Sequence, residues 1–90
     1  MKYIRIAPHN GSISWDNTIV IFPEIIDHFE MASRFKDCTI ISAGFVQLND
    51  NNVDGNVCYG KSVSLKLESH PDDTKLLKMQ YWDSFMEHLK

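Results

Sequence analysis

The chain is poor in everything that marks a specialised class. Its 90 residues hold two cysteines, four glycines and three prolines. Two cysteines build no disulfide framework, so Cys38 and Cys58 are expected as separate free thiols of a reducing compartment. No C-x-x-C or H-x-x-x-H spacing occurs, and no metal site or cofactor is expected. Nine basic against twelve acidic side chains leave a net charge of -3, which argues against a nucleic-acid backbone as partner. The carboxylates are scattered, so the chain does not read as an acidic mimic of nucleic acid either. No apolar run approaches the ~20 residues of a membrane span. Met1 is followed by a short mixed run, read as the absence of a secretory leader. What remains is a globular domain over 1–90, 43% hydrophobic and 23% charged, with a modest core.

What is present is a β-rich stretch, Cys38 to Leu67. Thr39 to Leu48 is rich in Ile, Phe and Val, types that suit a pleated surface. Its apolar residues fall on both faces around Ser42-Ala43-Gly44, which predicts a central strand or a bulge at Gly44. Asn49 to Asn56, with Asp54-Gly55, predicts a reversal. Val57, Tyr59, Val63, Leu65 and Leu67 alternate with Ser62, Ser64 and Lys66, which favours one continuous strand kinked at Gly60-Lys61, a two-residue turn there being the alternative. Upstream, Lys2 to Ile6 and Thr18 to Phe22 read as two strands able to pair as a hairpin across a long connection.

Pro23 suits a first helical position, and Phe22, Ile25, Ile26, Phe29 and Ala32 share one face at helical spacing. A helix from Pro23 to Phe35 is therefore predicted. Ser69-His70-Pro71-Asp72-Asp73 reads as a second helix start, with both carboxylates against the dipole. Beyond it, Met79, Trp82, Phe85, Met86 and Leu89 make one stripe, while Leu76 and Leu77 lie off its centre. A phase slip between Lys78 and Gln80 is predicted, making 80–90 a separate C-terminal helix. One helix buried on two sides is the alternative. The sum is an α+β domain, a mostly antiparallel sheet of four to five strands with helices packed on it, in the order β-β-α-β-β-α.

Phe45 in SAGFV, the run Cys58 to Leu65, Ser69 to Thr74, and a strand ending in Ile21-Phe22-Pro23 form a pattern. It resembles small proteins of phages and prophages over Thr18 to Leu77, and the tail from Gln80 departs from it. The resemblance implies an accessory product of a mobile element, in the cytoplasm of a bacterial host. It implies no activity.

Candidate chemistry is thin. Cys58, with Ser62 and His70 nearby in sequence, offers a nucleophile or ligand pocket; the plainer reading packs Cys58 beside Tyr59 in the sheet. Asp72 and Asp73 read as helix-capping groups rather than an acid-base pair. Asn49 to Gly55 lacks the closing Glu of a calcium loop. The larger signal is Tyr81, Trp82, Phe85 and Met86, side chains favoured in interface cores. The sequence thus favours a non-enzymatic interaction protein that binds a host or phage protein, or a second copy of itself. A small enzyme or ligand-binding domain with a pocket at Cys58, Ser62 and His70 is the alternative.

Overall fold

The computed structural model describes residues 1–8, 11–48 and 55–88, the last eight by backbone alone. Of the reversal expected over Asn49 to Asn56, residues 49 to 54 lie outside the described residues. The elements are β1 (Lys2–Pro8), β2 (Thr18–Phe22), α1 (His28–Ala32), β3 (Cys38–Gln47), β4 (Val57–Tyr59), β5 (Lys61–Ser62), β6 (Leu67–Glu68) and α2 (Asp73–His88). The α+β class is as the sequence predicts. Four strands form an antiparallel sheet in the order β2-β1-β3-β4, and β5 with β6 forms a small ribbon.

Strand alternation sorts the core into two halves. Tyr3, Ile19 and Val46 pack with Leu76 and Leu77 of α2 on one face. Ile4, Phe22 and Ala43 pack with Met31 of α1 on the other, where Leu65 and Leu67 also dock. β3 is a central strand, paired with β1 and β4. Its irregularity falls at Ile41, not at Gly44: Arg5 pairs with Ser42 and Ile6 with Ile40, so Ile41 is the extra residue. Gly44 is glycine for another reason, since a Cβ there would collide with the Tyr59 carbonyl oxygen.

α2 crosses the sheet and holds both edge strands. Near its start, the Thr74 hydroxyl accepts from the Cys58 N–H at 2.9 Å and donates to the Cys58 carbonyl at 3.4 Å, on β4. Two turns later, Gln80 accepts from the Ile19 N–H at 2.7 Å and donates to the Ile19 carbonyl at 3.3 Å, on β2. A side-chain amide thus stands where a neighbouring strand would pair. Outward N–H and C=O groups of edge strands invite pairing with other chains, and these two side chains occupy those of Cys58 and Ile19.

Three expectations are corrected. The strand expected over Val57–Leu67 breaks at Gly60, whose φ of 77° ends β4. The chain then turns through Val63–Lys66, where Lys66 has φ 55° and the Ser62 hydroxyl accepts the Leu65 N–H at 3.2 Å. Val63 is therefore 80% exposed, while Ser62, expected on the polar face, is buried.

The helix expected over Pro23–Phe35 shrinks to five residues. Pro23 makes only a turn, its carbonyl accepting the Ile26 N–H at 3.1 Å. Asp27 is the true cap: its backbone is extended and its carboxylate accepts the Phe29 N–H. The helix buries His28 and Met31, so Ile25 and Phe29, expected in the core, are 92% and 62% exposed. His28 is fixed by a 2.7 Å bond between its Nε2 and the Gly44 carbonyl, with Phe22 and Phe45 packed at its edges.

No phase slip divides the last helix, which runs unbroken from Asp73 to His88. Asp73, Leu76, Leu77 and Gln80 form one ordinary i, i+3, i+4, i+7 stripe against the sheet.

Candidate functional site

The sheet face under α2 is not wholly apolar. Arg5 shares it with Tyr3, two residues back on β1, and β3 places Ser42 directly opposite Arg5. Asp73, at the start of α2, drops into this polar gap and is fully buried. Its Oδ1 accepts from Arg5 Nη1 at 2.9 Å. Its Oδ2 accepts from the Tyr3 hydroxyl at 2.5 Å, the Ser42 hydroxyl at 2.7 Å and the His70 N–H at 2.9 Å. The last bond makes Asp73 half of a capping box, with Pro71 one residue after His70. The His70 ring completes the cap, Nδ1 accepting the Asp72 N–H at 3.0 Å. Asp73 thus starts the helix and neutralises a buried guanidinium at once.

Arg5 also organises the loop between β1 and β2. Its Nε donates to Asn17 Oδ1 and its Nη2 to the Ser14 carbonyl, both at 2.9 Å. Buried Asn17 accepts the Ser14 N–H through the same oxygen and donates to the Ser12 carbonyl. The loop is wound inward on its polar side, which leaves Ile13 and Trp15 outside, 43% and 47% exposed. Between this loop and the start of α2 lies a cavity of about 240 Å³, lined by Arg5, Ile13, Ser14, Trp15 and Asp72. The Lys75 ammonium sits 5.6 Å from the Trp15 ring centroid.

The electrostatics of the buried cluster suit structure rather than proton transfer. Burial, then the bond to Asp73 and its charge, push the Tyr3 hydroxyl far above its usual value. The Cys58 thiol is pushed up to about 12 by burial and by the Asp73 charge, partly offset by a bond to Thr74. It is therefore a protonated thiol at neutral pH, the opposite of an activated nucleophile. Among the described residues, every buried side-chain nitrogen or oxygen has a partner.

Neither the cavity beside Trp15 nor a second one beside Ser62 is lined by Cys58 or His70, which were expected to form a pocket with Ser62. Cys58 lies on β4, hydrogen-bonded through its backbone to Thr74. His70 is engaged as a helix cap. Ser62 lies in the β5–β6 ribbon, where its hydroxyl meets Ser64 and Leu65 beside a separate hollow of about 290 Å³. Among the described residues, no hydrogen bond joins the three. The side chains of Tyr81, Trp82, Phe85 and Met86 lie outside the described residues. Cys38 pairs with Pro8 at one end of β3 and Cys58 with Val46 near the other, and both are free thiols. Among the described residues, no His, Cys, Asp and Glu group could hold a metal ion.

Sequence reasoning missed Arg5, Asn17, Ser42 and Trp15. The signal for Arg5 was a charge inside KYIRI, on the same strand face as Tyr3. The signal for Trp15 was a large aromatic in a loop otherwise short of apolar residues.

Comparison with known proteins adds no likeness: no family model, no curated protein and no solved structure matches the chain.

Proposed function

We propose that this chain is a non-enzymatic accessory protein of a phage or prophage that acts by binding a host or phage protein. The observation that supports this reading is a change of side along α2. Asp73, Leu76, Leu77 and Gln80 face the sheet, and Lys75 and Met79, on the other side, are exposed. At about 100° per residue, the helical period puts positions 82 and 86 on the side of Lys75, and position 85 on the flank, about 80° from both Lys75 and Leu77. The same period brings Asp83, Ser84 and Glu87 round to the side of Leu76 and Leu77. The apolar pattern therefore changes side just after Gln80, the residue that already touches the outermost strand of the sheet. An apolar helical stripe set against a polar side suits helix-in-groove recognition. The protonated Cys58 thiol and the use of His70 as a helix cap favour this reading over a small enzyme. The mobile-element origin rests on the resemblance alone.

A photoreactive residue in place of Phe85, in cells of a bacterial host, tests the proposal. One discrete protein adduct is expected, absent when the same residue replaces exposed Asp16. An adduct of twice the chain's mass would identify the partner as a second copy. No adduct at position 85 would contradict the reading.

A further inference from the structure

We propose that the cavity beside Trp15 binds an uncharged, planar nitrogen heterocycle that carries a carbonyl oxygen and an N–H, in the form of a free nucleobase or nucleoside. The inference is independent of the partner surface on α2. It starts from how much of the loop is committed to presenting two apolar side chains. Arg5 and Asn17 fix the loop by bonds to Ser12 and Ser14, and Asp16 adds one from its N–H to the Ser14 hydroxyl. A loop fixed this firmly is pre-formed, yet Ile13 and Trp15 stay half-exposed beside an open hollow.

The chemistry of the lining selects the ligand. Arg5 forms the floor and is itself 1% exposed. A guanidinium has five N–H groups. Arg5 spends one on Asn17, one on Asp73 and one on the Ser14 carbonyl. One N–H on each terminal nitrogen is left for an acceptor. The charge of Arg5 is already balanced by Asp73, so the floor offers donors without net attraction for an anion. Asp72 on the wall supplies acceptors, and its carboxylate is 3.8 Å from His70 Nδ1. Lys75 beside Trp15 offsets the charge of Asp72. The lining thus combines donors on Arg5, acceptors on Asp72 and the Trp15 indole, one face of which Lys75 covers, with little net charge. A carbonyl oxygen fits the floor, a ring or exocyclic N–H fits Asp72, and a flat ring fits Trp15. About 240 Å³ is below the usual range for a drug-sized ligand, which suits one or two fused rings. The chain's net charge of -3 disfavours the same ring as part of a polyanion.

Nuclear magnetic resonance titration of the whole ¹⁵N-labelled chain with uridine, cytidine, adenosine and guanosine tests this. At least one is expected to shift the Trp15 indole N–H and the Arg5 side-chain N–H signals saturably below about 10 mM. Trp15→Ala should weaken that binding about tenfold or more, as loss of a stacking face does. Asp72→Asn should change which nucleoside binds best. Both replace partly exposed side chains outside the Asp73 cluster, and an unchanged amide spectrum elsewhere verifies the fold. No saturable shift with any of the four overturns the proposal. So does equal binding of toluene, which has a ring but no polar edge. Binding only of a single-stranded oligonucleotide, falling steeply with salt, overturns it too.

Discussion

Replacing Asp73 with alanine would leave Arg5 buried without a counter-charge. The two side chains are 1% and 0% exposed, so neither solvent nor rotation can supply a substitute. Breaking a buried ion pair from one side costs about 3–5 kcal/mol. The Tyr3 and Ser42 hydroxyls and the His70 N–H lose their acceptor in the same step. Each such loss costs about 1 kcal/mol or more, though the terms do not simply add. Against a total stability of about 5–15 kcal/mol, Asp73→Ala is expected to leave the chain largely unfolded at 25 °C. Asp73→Asn is no conservative change here. Oδ1 and Oδ2 both accept hydrogen bonds, so the amide NH₂ confronts a donor in either orientation. It should cost about 3 kcal/mol, with the charge of Arg5 still unbalanced. The partner change Arg5→Met together with Asp73→Leu should be less harmful than Asp73→Ala alone. Urea titration followed by circular dichroism measures all three. A loss below about 1 kcal/mol for Asp73→Ala would refute the reasoning, because a buried guanidinium cannot lose its counter-ion so cheaply.

Other consequences follow from the same geometry. Gln80→Ala should cost about 1 kcal/mol and speed hydrogen exchange at the Ile19 amide, where Gln80 is the acceptor; unchanged exchange there would remove the edge clasp. Folding raises the proton affinity of Tyr3 and Cys58, so the folded state keeps protons that the unfolded chain releases. Their contribution is fully present below pH 9 and is lost as pH rises towards and beyond 12. The melting temperature should therefore fall steadily from about pH 9 upward, the model-peptide range of these groups, and a rise over that range would contradict the shifts. Cys58 should react far more slowly with a thiol reagent at pH 8 than it does in urea, and melting should be the same with and without reductant; rapid labelling of Cys58 itself in the folded chain, mapped apart from Cys38, would contradict the raised pKa of its thiol.

Much of the sheet was legible from residue type and alternation. Lys2–Ile6, Thr18–Phe22 and the central strand through Ala43 lie where β-branched residues cluster. The errors came where a local hydrogen bond overrode a periodicity. Asp27 captured the Phe29 N–H and so moved the helix start past Ile25, against a good apolar stripe. Ser62 captured the Leu65 N–H and turned a formally alternating run into a hairpin. The polar cluster was hidden for a different reason. Its members, Arg5, Asn17, Ser42 and Asp73, are far apart in the chain and each has an ordinary local role. Asp73 reads as a helix cap and is one, through His70. Only the register of β1 against β3, with its extra residue at Ile41, brings Arg5 and Ser42 together beneath it.

One side of α2 holds the sheet through Asp73, Leu76, Leu77 and Gln80, and the proposal gives the stripe of Trp82 and Met86 to a partner. The unfolding free energies of Leu76→Ala and of the double change Trp82→Ala with Met86→Ala test that division most directly. Leu76, 1% exposed, should lose about 2–5 kcal/mol, while the double change should stay within about 0.5 kcal/mol of the parent. A double mutant that unfolds would place the second stripe in the core and contradict the account.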